Sequence, residues 1–159
     1  MKSKSRDRKS ENVELFTKHL YNFKSKDTSP QAIIKKTEDF EKLAELFIWS
    51  EKNEMVLNDP FMENNVLGLF FNLLTACSKS TSTKNLFISL IRSYSFLISN
   101  LKRQEMLNYV YSHPVFNNFI KFPFDFKDDE ILFYYINFIK SLSQKVDGLP
   151  VQIFYNQVI

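Results

Sequence analysis

The sequence predicts an all-α protein, and three observations carry that prediction. Apolar residues recur at spacings of three and four through successive segments of about 10 to 20 residues, the period of a helix with one buried face. Glycine occurs only at Gly68 and Gly148, which leaves little for the tight turns of a many-stranded sheet or for glycine-rich phosphate cradles. Proline follows a helix-capping residue at Ser29-Pro30 and Asp59-Pro60, the mark of a helix start. With 159 residues, 44% of them hydrophobic and 17 of them Phe, a single domain has ample material for a packed core.

The chain opens on Lys2, Lys4, Arg6, Arg8 and Lys9 against Asp7, a charge of +4 over residues 1–9 in a chain of net +3, so the remainder stands at −1. Residues 1–11 therefore read as a flexible basic tail on a near-neutral body. Such a tail is solvated, or it touches anionic lipid through Lys2, Lys4, Arg6, Arg8 and Lys9. Nucleic acid is the weaker partner, because the basicity is not on the folded surface.

Val13, Phe16, Leu20 and Phe23 then share one face of a short helix. Pro30 starts a long second helix whose stripe is Ile33, Ile34, Phe40, Leu43, Ala44, Phe47 and Ile48, reaching about Asn53. Asp59-Pro60 starts a third, expected to run unbroken to about Ala76. Its Val66, Leu67, Leu69, Phe70, Phe71, Leu73 and Leu74 are apolar nearly all round, which predicts a central, sandwiched helix.

After a polar loop over 78–83, Leu86, Phe87, Leu90, Ile91, Tyr94, Leu97 and Ile98 trace a fourth helix, and a fifth covers about Lys102 to Tyr111. His113-Pro114 breaks it, Val115 to Ile120 add one or two turns, and Pro123 stops the chain again. Asp128 and Asp129 cap a strong helix through Ile131, Tyr135, Phe138 and Leu142, closed by Gly148 and Pro150. The pattern restarts at Val151 (Ile153, Phe154, Val158). Seven to eight helices returning at a spacing of roughly 40 residues suggest an armadillo- or HEAT-like stack; the repeats are not similar in sequence, so an irregular helical bundle is the alternative.

The residues point away from catalysis. Cys77 is the single cysteine, which forbids an intramolecular disulfide or a cysteine metal site and suggests a reducing, intracellular location. His19 and His113 are the only histidines, and neither has an evident partner set; no nucleophile motif surrounds a serine or Cys77. Asp125, Asp128, Asp129 and Glu130 lack the spacing of a calcium loop and read as helix capping. The longest apolar stretch, Val66 to Cys77, is too short for a bilayer span of about 20 residues. No enzyme activity, cofactor, metal or small-molecule substrate is expected. Phe133 and Tyr134 fall off the Leu132/Tyr135/Ile139 stripe: they pack on a neighbouring helix or, if exposed, are candidate anchors of a protein-binding surface.

Three segments in order carry a family signature: Ala44 to Trp49 with Glu51-Lys52-Asn53 behind it, Phe61-Met62-Glu63-Asn64-Asn65 leading into Leu69-Phe70-Phe71, and Phe124-Asp125-Phe126-Lys127-Asp128-Asp129-Glu130-Ile131 followed by Tyr134-Tyr135, with Phe154-Tyr155 further on. From about residue 12 onward the chain resembles the N-terminal FPL domain of the family that includes the C-type lectin domain family sixteen A, endosomal-maturation-defective and plant Transparent Testa nine proteins. The signature positions are Trp49, Phe61, Phe70, Phe71, Phe124, Asp125, Phe126, Asp129, Glu130, Tyr134, Tyr135, Phe154 and Tyr155.

The resemblance implies a helical FPL-like domain over 12–159, cut short at its C-terminal end. It implies a cytosol-facing scaffold peripheral to endosomal, lysosomal or Golgi membranes, acting in endosome–lysosome traffic and autophagy. The implied partners are trafficking, small-GTPase or ubiquitin-ligase machinery. No catalytic residue is carried over, and the two cysteine pairs and calcium site of a lectin are missing.

Overall fold

Eight helices and no strands make up the described part of the chain: α1 (Lys2–Phe23), α2 (Pro30–Glu51), α3 (Asn58–Glu63), α4 (Val66–Cys77), α5 (Thr83–Asn100), α6 (Gln104–Ser112), α7 (Pro114–Ile120) and α8 (Asp129–Val146). The computed structural model describes residues 2–79 and 83–146, with side chains from Asp7 to Lys145 among them. The restart expected at Val151, Ile153, Phe154 and Val158, and the close at Gly148 and Pro150, lie outside the described residues.

The long helices α2, α5 and α8 form a ladder in which α5 is the middle rung, packed on α2 along one side and on α8 along the other. They begin at residues 30, 83 and 129, and each interval holds two shorter helices. The order short, short, long thus recurs, as the stack reading expects. α1 lies against α2, while α4 packs on α2, α5 and α7 to make a second layer behind the ladder.

The core is built from rings. Phe70 of α4 is fully buried and stacks on Phe40 of α2 at 4.4 Å between centroids and on Tyr94 of α5 at 5.1 Å, with Phe119 of α7 at 6.0 Å. Phe138 of α8 closes the group against Phe119 (4.8 Å) and Tyr94 (5.6 Å). Five helices therefore meet around one aromatic cluster, at separations where rings attract beyond their area alone.

Several expected boundaries hold. Ser29 accepts the Ala32 N–H ahead of Pro30, and Asp128 accepts the N–H groups of Glu130 and Ile131 at the head of α8. Three differ. α1 extends back to Lys2, through residues whose basicity predicts a flexible tail to residue 11: apolar spacing marks only where a helix packs, while Lys, Arg and Glu sustain helix without it.

Asp59 does not cap. The helix starts two residues earlier, at Asn58 behind Leu57, and Asp59 sits in its first turn, where a carboxylate still faces the positive end of the macrodipole. The helix expected from Pro60 to Ala76 is two helices, because Asn65 takes a left-handed φ of 48° and accepts the Gly68 N–H on its own side chain. A Cβ at position 68 would stand 2.3 Å from the Asn65 amide nitrogen, so only glycine leaves room for this cap. Gly68 is a clearance, not a turn.

Candidate protein-interaction surface

Polar side chains at the corners of the stack fix where the helices point. Glu51, buried at the end of α2, accepts the backbone N–H groups of Lys102 (3.1 Å) and Arg103 (2.9 Å), and the Arg103 Nε–H donates back to the Glu51 carbonyl. A carboxylate from α2 thus supplies the cap that Arg103, at the N-cap of α6, cannot supply itself. Next to it, Ser50 accepts the Leu57 N–H at 2.7 Å and the Met55 N–H on its carbonyl, clamping a loop in which Glu54 and Met55 both hold positive φ (63° and 56°).

The two histidines, which have no evident partners in the sequence, are both engaged. His19 Nδ1 lies 2.8 Å from the fully buried Asp39 carboxylate, which Lys35 also approaches. His113 accepts the Val115 N–H on Nδ1 and donates from Nε2 to Asn65 Oδ1 at 2.9 Å, so it caps α7 and ties the α6–α7 corner to the α3–α4 corner. Burial holds His113 below the ordinary imidazole range, in keeping with the neutral ring that this pair of bonds needs. Burial also pushes the Cys77 thiol up to about 11.

The structure disperses the signature residues over three kinds of place. Phe61, Phe70 and Phe124 are buried, Phe61 stacking on Phe47 at 4.1 Å; Trp49 and Phe71 are half-buried against the core. Tyr135 donates its hydroxyl to the Ile120 carbonyl, and Phe126 lies over its ring at 4.9 Å while remaining 42% exposed. Asp125 accepts the Lys127 N–H, Asp129 is exposed in the first turn of α8, and Glu130 with Asp128 takes Lys84 of α5 between them at 3.1 and 3.0 Å. That pincer pins the heads of α5 and α8 together and holds Asp128 below, and Lys84 above, their ordinary ranges. Among the described residues no cluster of His, Cys, Asp or Glu is arranged to hold a metal ion. Phe154 and Tyr155 lie outside the described residues.

Phe133 and Tyr134, the candidate binding anchors, separate. Tyr134 is half-buried, with the Arg92 guanidinium of α5 over its ring at 5.6 Å, whereas Phe133 projects with 58% of its surface exposed and meets the Tyr134 ring edge-on at 5.3 Å. Arg92 also lines a groove of about 410 Å³ between α2 and α5, with Glu41 and Glu45 on one wall, Asn85 and Ser89 on the other, and the 39%-exposed Phe96 at its rim. The ladder thus presents aromatic anchors, hydrogen-bonding side chains and both signs of charge on one continuous run of three helices, the kind of surface on which proteins recognise one another. Arg92 is the residue that sequence reasoning missed: an isolated arginine on a helix carries no mark of the ring it will cover.

Of the five N-terminal cations proposed to touch lipid, Lys9 is 2.7 Å from Glu54 in the α2–α3 loop and Arg8 is exposed; the side chains of Lys2, Lys4 and Arg6 lie outside the described ones. Among the described residues no helix is long and apolar enough to cross a membrane.

Residues 40–159 match the family model described as FPL, an uncharacterised conserved protein. The human protein named Protein CLEC16A is 31% identical over 142 residues, covering 88% of this chain and 13% of its own length. A Drosophila melanogaster homologue of it is 28% identical over 144 residues, with the same coverage. The Arabidopsis thaliana Protein TRANSPARENT TESTA 9 is 30% identical over 105 residues, 66% of this chain and 12% of its own. The chain thus spans about an eighth of the length of the curated relatives it matches. No solved structure matches.

Proposed function

The chain belongs to the FPL family, and from that premise we propose that it is a non-catalytic helical scaffold that binds partner proteins in endosome–lysosome trafficking and autophagy, peripheral to endosomal, lysosomal or Golgi membranes. The observation that carries the reading is Phe133: a large ring 58% exposed on the last rung of the ladder, beside a tyrosine held in place by Arg92. Exposed aromatics on a rigid helix lose little entropy on binding and dominate interface energetics.

The non-catalytic half of the proposal draws on what the reactive side chains are doing. His113 caps a helix, His19 is spent on Asp39, and the Cys77 thiol is buried and held protonated. Each is committed to the fold. The trafficking setting rests on the family resemblance, with small-GTPase, tethering or ubiquitin-ligase components as the partners.

The test is affinity capture from cell lysate at mild salt with the intact chain and with Phe133→Ser. Tethering, GTPase or ubiquitin-ligase components should appear on the intact chain and fall severalfold on the variant, whose fold is untouched because the ring is exposed. Equal capture by the two chains overturns the assignment of the surface. Turnover of a substrate by purified protein, mapped to a few polar residues, overturns the scaffold reading itself.

A further inference from the structure

We infer that the tip of the α1–α2 hairpin is a contact surface for an anionic lipid bilayer, separate from the N-terminal cations and from the protein-binding ladder. Residues 17–36 hold Lys18, Lys24, Lys26, Lys35 and Lys36 against Asp27 alone, a charge of +4. Residues 1–9 also hold +4, so in a chain of +3 everything else sums to −5. The net positive charge of the protein therefore lies in two blocks, the remaining cations being outnumbered by carboxylates. α1 rises about 1.5 Å per residue, so it holds Lys4 and Lys24 roughly 30 Å apart. A membrane met end-on by the hairpin is not met by the N-terminal block.

The tip has the shape for it. α1 and α2 splay around an open hollow of about 890 Å³ lined by Tyr21, Lys24, Lys35 and Lys36, with Asp27 the one carboxylate among its lining residues. Tyr21 is 80% exposed, the most exposed of the large hydrophobic side chains among the described residues, and an amphipathic ring beside a cluster of ammonium groups is the pairing found at the headgroup level of membranes.

Part of the lysine set builds the platform. Lys36 donates to the backbone carbonyls of Ser25 and Asp27, holding the loop closed, and Lys24 donates to Asn64 of the α3–α4 corner at 3.1 Å. Lys26 is exposed in the loop between the two helices, whereas Lys18, also exposed, lies on another face of α1 beside Glu11 and Glu14 and adds only to the net charge of the segment. The charge complement is a sheet of phosphodiester and carboxylate groups, which a rigid tip can meet with several cations at once; a single soluble anion offers only one such contact.

The experiment is co-sedimentation of the full chain with vesicles of phosphatidylcholine alone and with vesicles holding about 30 mol% phosphatidylserine, enough to give the surface the negative potential of a cytoplasmic leaflet. Binding should need phosphatidylserine, fall with salt, and drop about thirtyfold or more in Lys24→Glu/Lys26→Glu. Tyr21→Ser should cost a few-fold at unchanged charge, and Lys52→Glu/Lys121→Glu, the same charge change elsewhere, should lose less than the tip pair. A fluorophore on Tyr21→Cys, selective because Cys77 is buried, should shift to the blue on phosphatidylserine vesicles.

Equal loss in the two charge-reversed pairs, or no blue shift, overturns the inference. So does binding that disappears on replacing Lys2, Lys4, Arg6 and Arg8 with Ser while Lys24→Glu/Lys26→Glu leaves it intact. Competition by millimolar inorganic phosphate at fixed ionic strength would likewise replace the bilayer with a soluble anion. None of these outcomes bears on Phe133, so this inference and the scaffold reading fail independently.

Discussion

The centre of the molecule and its corners are held together by different means. Around Phe70, rings from five helices meet, and the attraction is one of burial and shape. At the corners single polar side chains reach across the sequence: Glu51 caps a helix 52 residues on, and His113 joins Asn65 across 48. The centre supplies most of the free energy of folding. The corners supply direction, because a capped helix end can enter the stack in only one orientation, and the ladder that carries Phe133 and Arg92 depends on it.

That contrast orders the effects of substitution. Phe70→Ala empties the meeting point of the rings and should cost about 3–5 kcal/mol in chemical denaturation. Glu51→Ala leaves the Lys102 and Arg103 N–H groups without their charged acceptor and should cost about 1.5–3 kcal/mol. A larger loss from Glu51→Ala than from Phe70→Ala would reverse the division of labour just drawn.

Asn65→Ala removes the cap and the acceptor of His113 and forces an alanine into the left-handed region, for about 1–2 kcal/mol, whereas Asn65→Gly loses the same two hydrogen bonds without the strain and should cost less. Thermal melts of the two variants side by side separate the strain from the hydrogen bonds.

The smallest effect is one of pH. His113 has its folded pKa lowered by burial, so the unfolded chain binds the proton more readily; the stabilisation is complete above the ordinary imidazole value near 6.5 and declines as pH falls from there toward the lower folded value. Melting midpoints of the intact chain should fall faster between about pH 7.5 and 5 than those of His113→Gln. Parallel curves would mean that the corner bond does not discriminate between the two forms of the ring.

The same contrast governs what could be read from residues alone. Periodicity placed Phe70, Tyr94, Phe119 and Phe138 in the core because a buried face repeats every three or four residues whatever its partner. Local caps were legible too, Ser29 and Asp128 among them, since donor and acceptor lie within three residues. What stayed hidden needs a second segment to be seen: the acceptor role of Glu51, the pairing of His19 with Asp39, Lys84 between Asp128 and Glu130, and Arg92 over Tyr134. The break at Asn65 was masked by the apolar run behind it, although Asn64-Asn65 ahead of Gly68 was its visible trace. Of the two candidate anchors, the wheel put both off the buried stripe, but only the neighbouring helix decided that Tyr134 is covered and Phe133 is not.

The placing of α5 between α2 and α8 has a consequence for how the protein breathes. Leu90, Ile91, Tyr94, Leu97 and Ile98 have no exposed surface, and their helix is gripped from both sides, whereas the outer face of α8 carries Ile136 and Ile139 in the open. Transient opening therefore starts at the outer rung and stops at the middle one. In deuterated solvent the amides of α5 are the last to exchange, so a bound partner registers as slowed exchange in α8 while α5, already protected, barely changes.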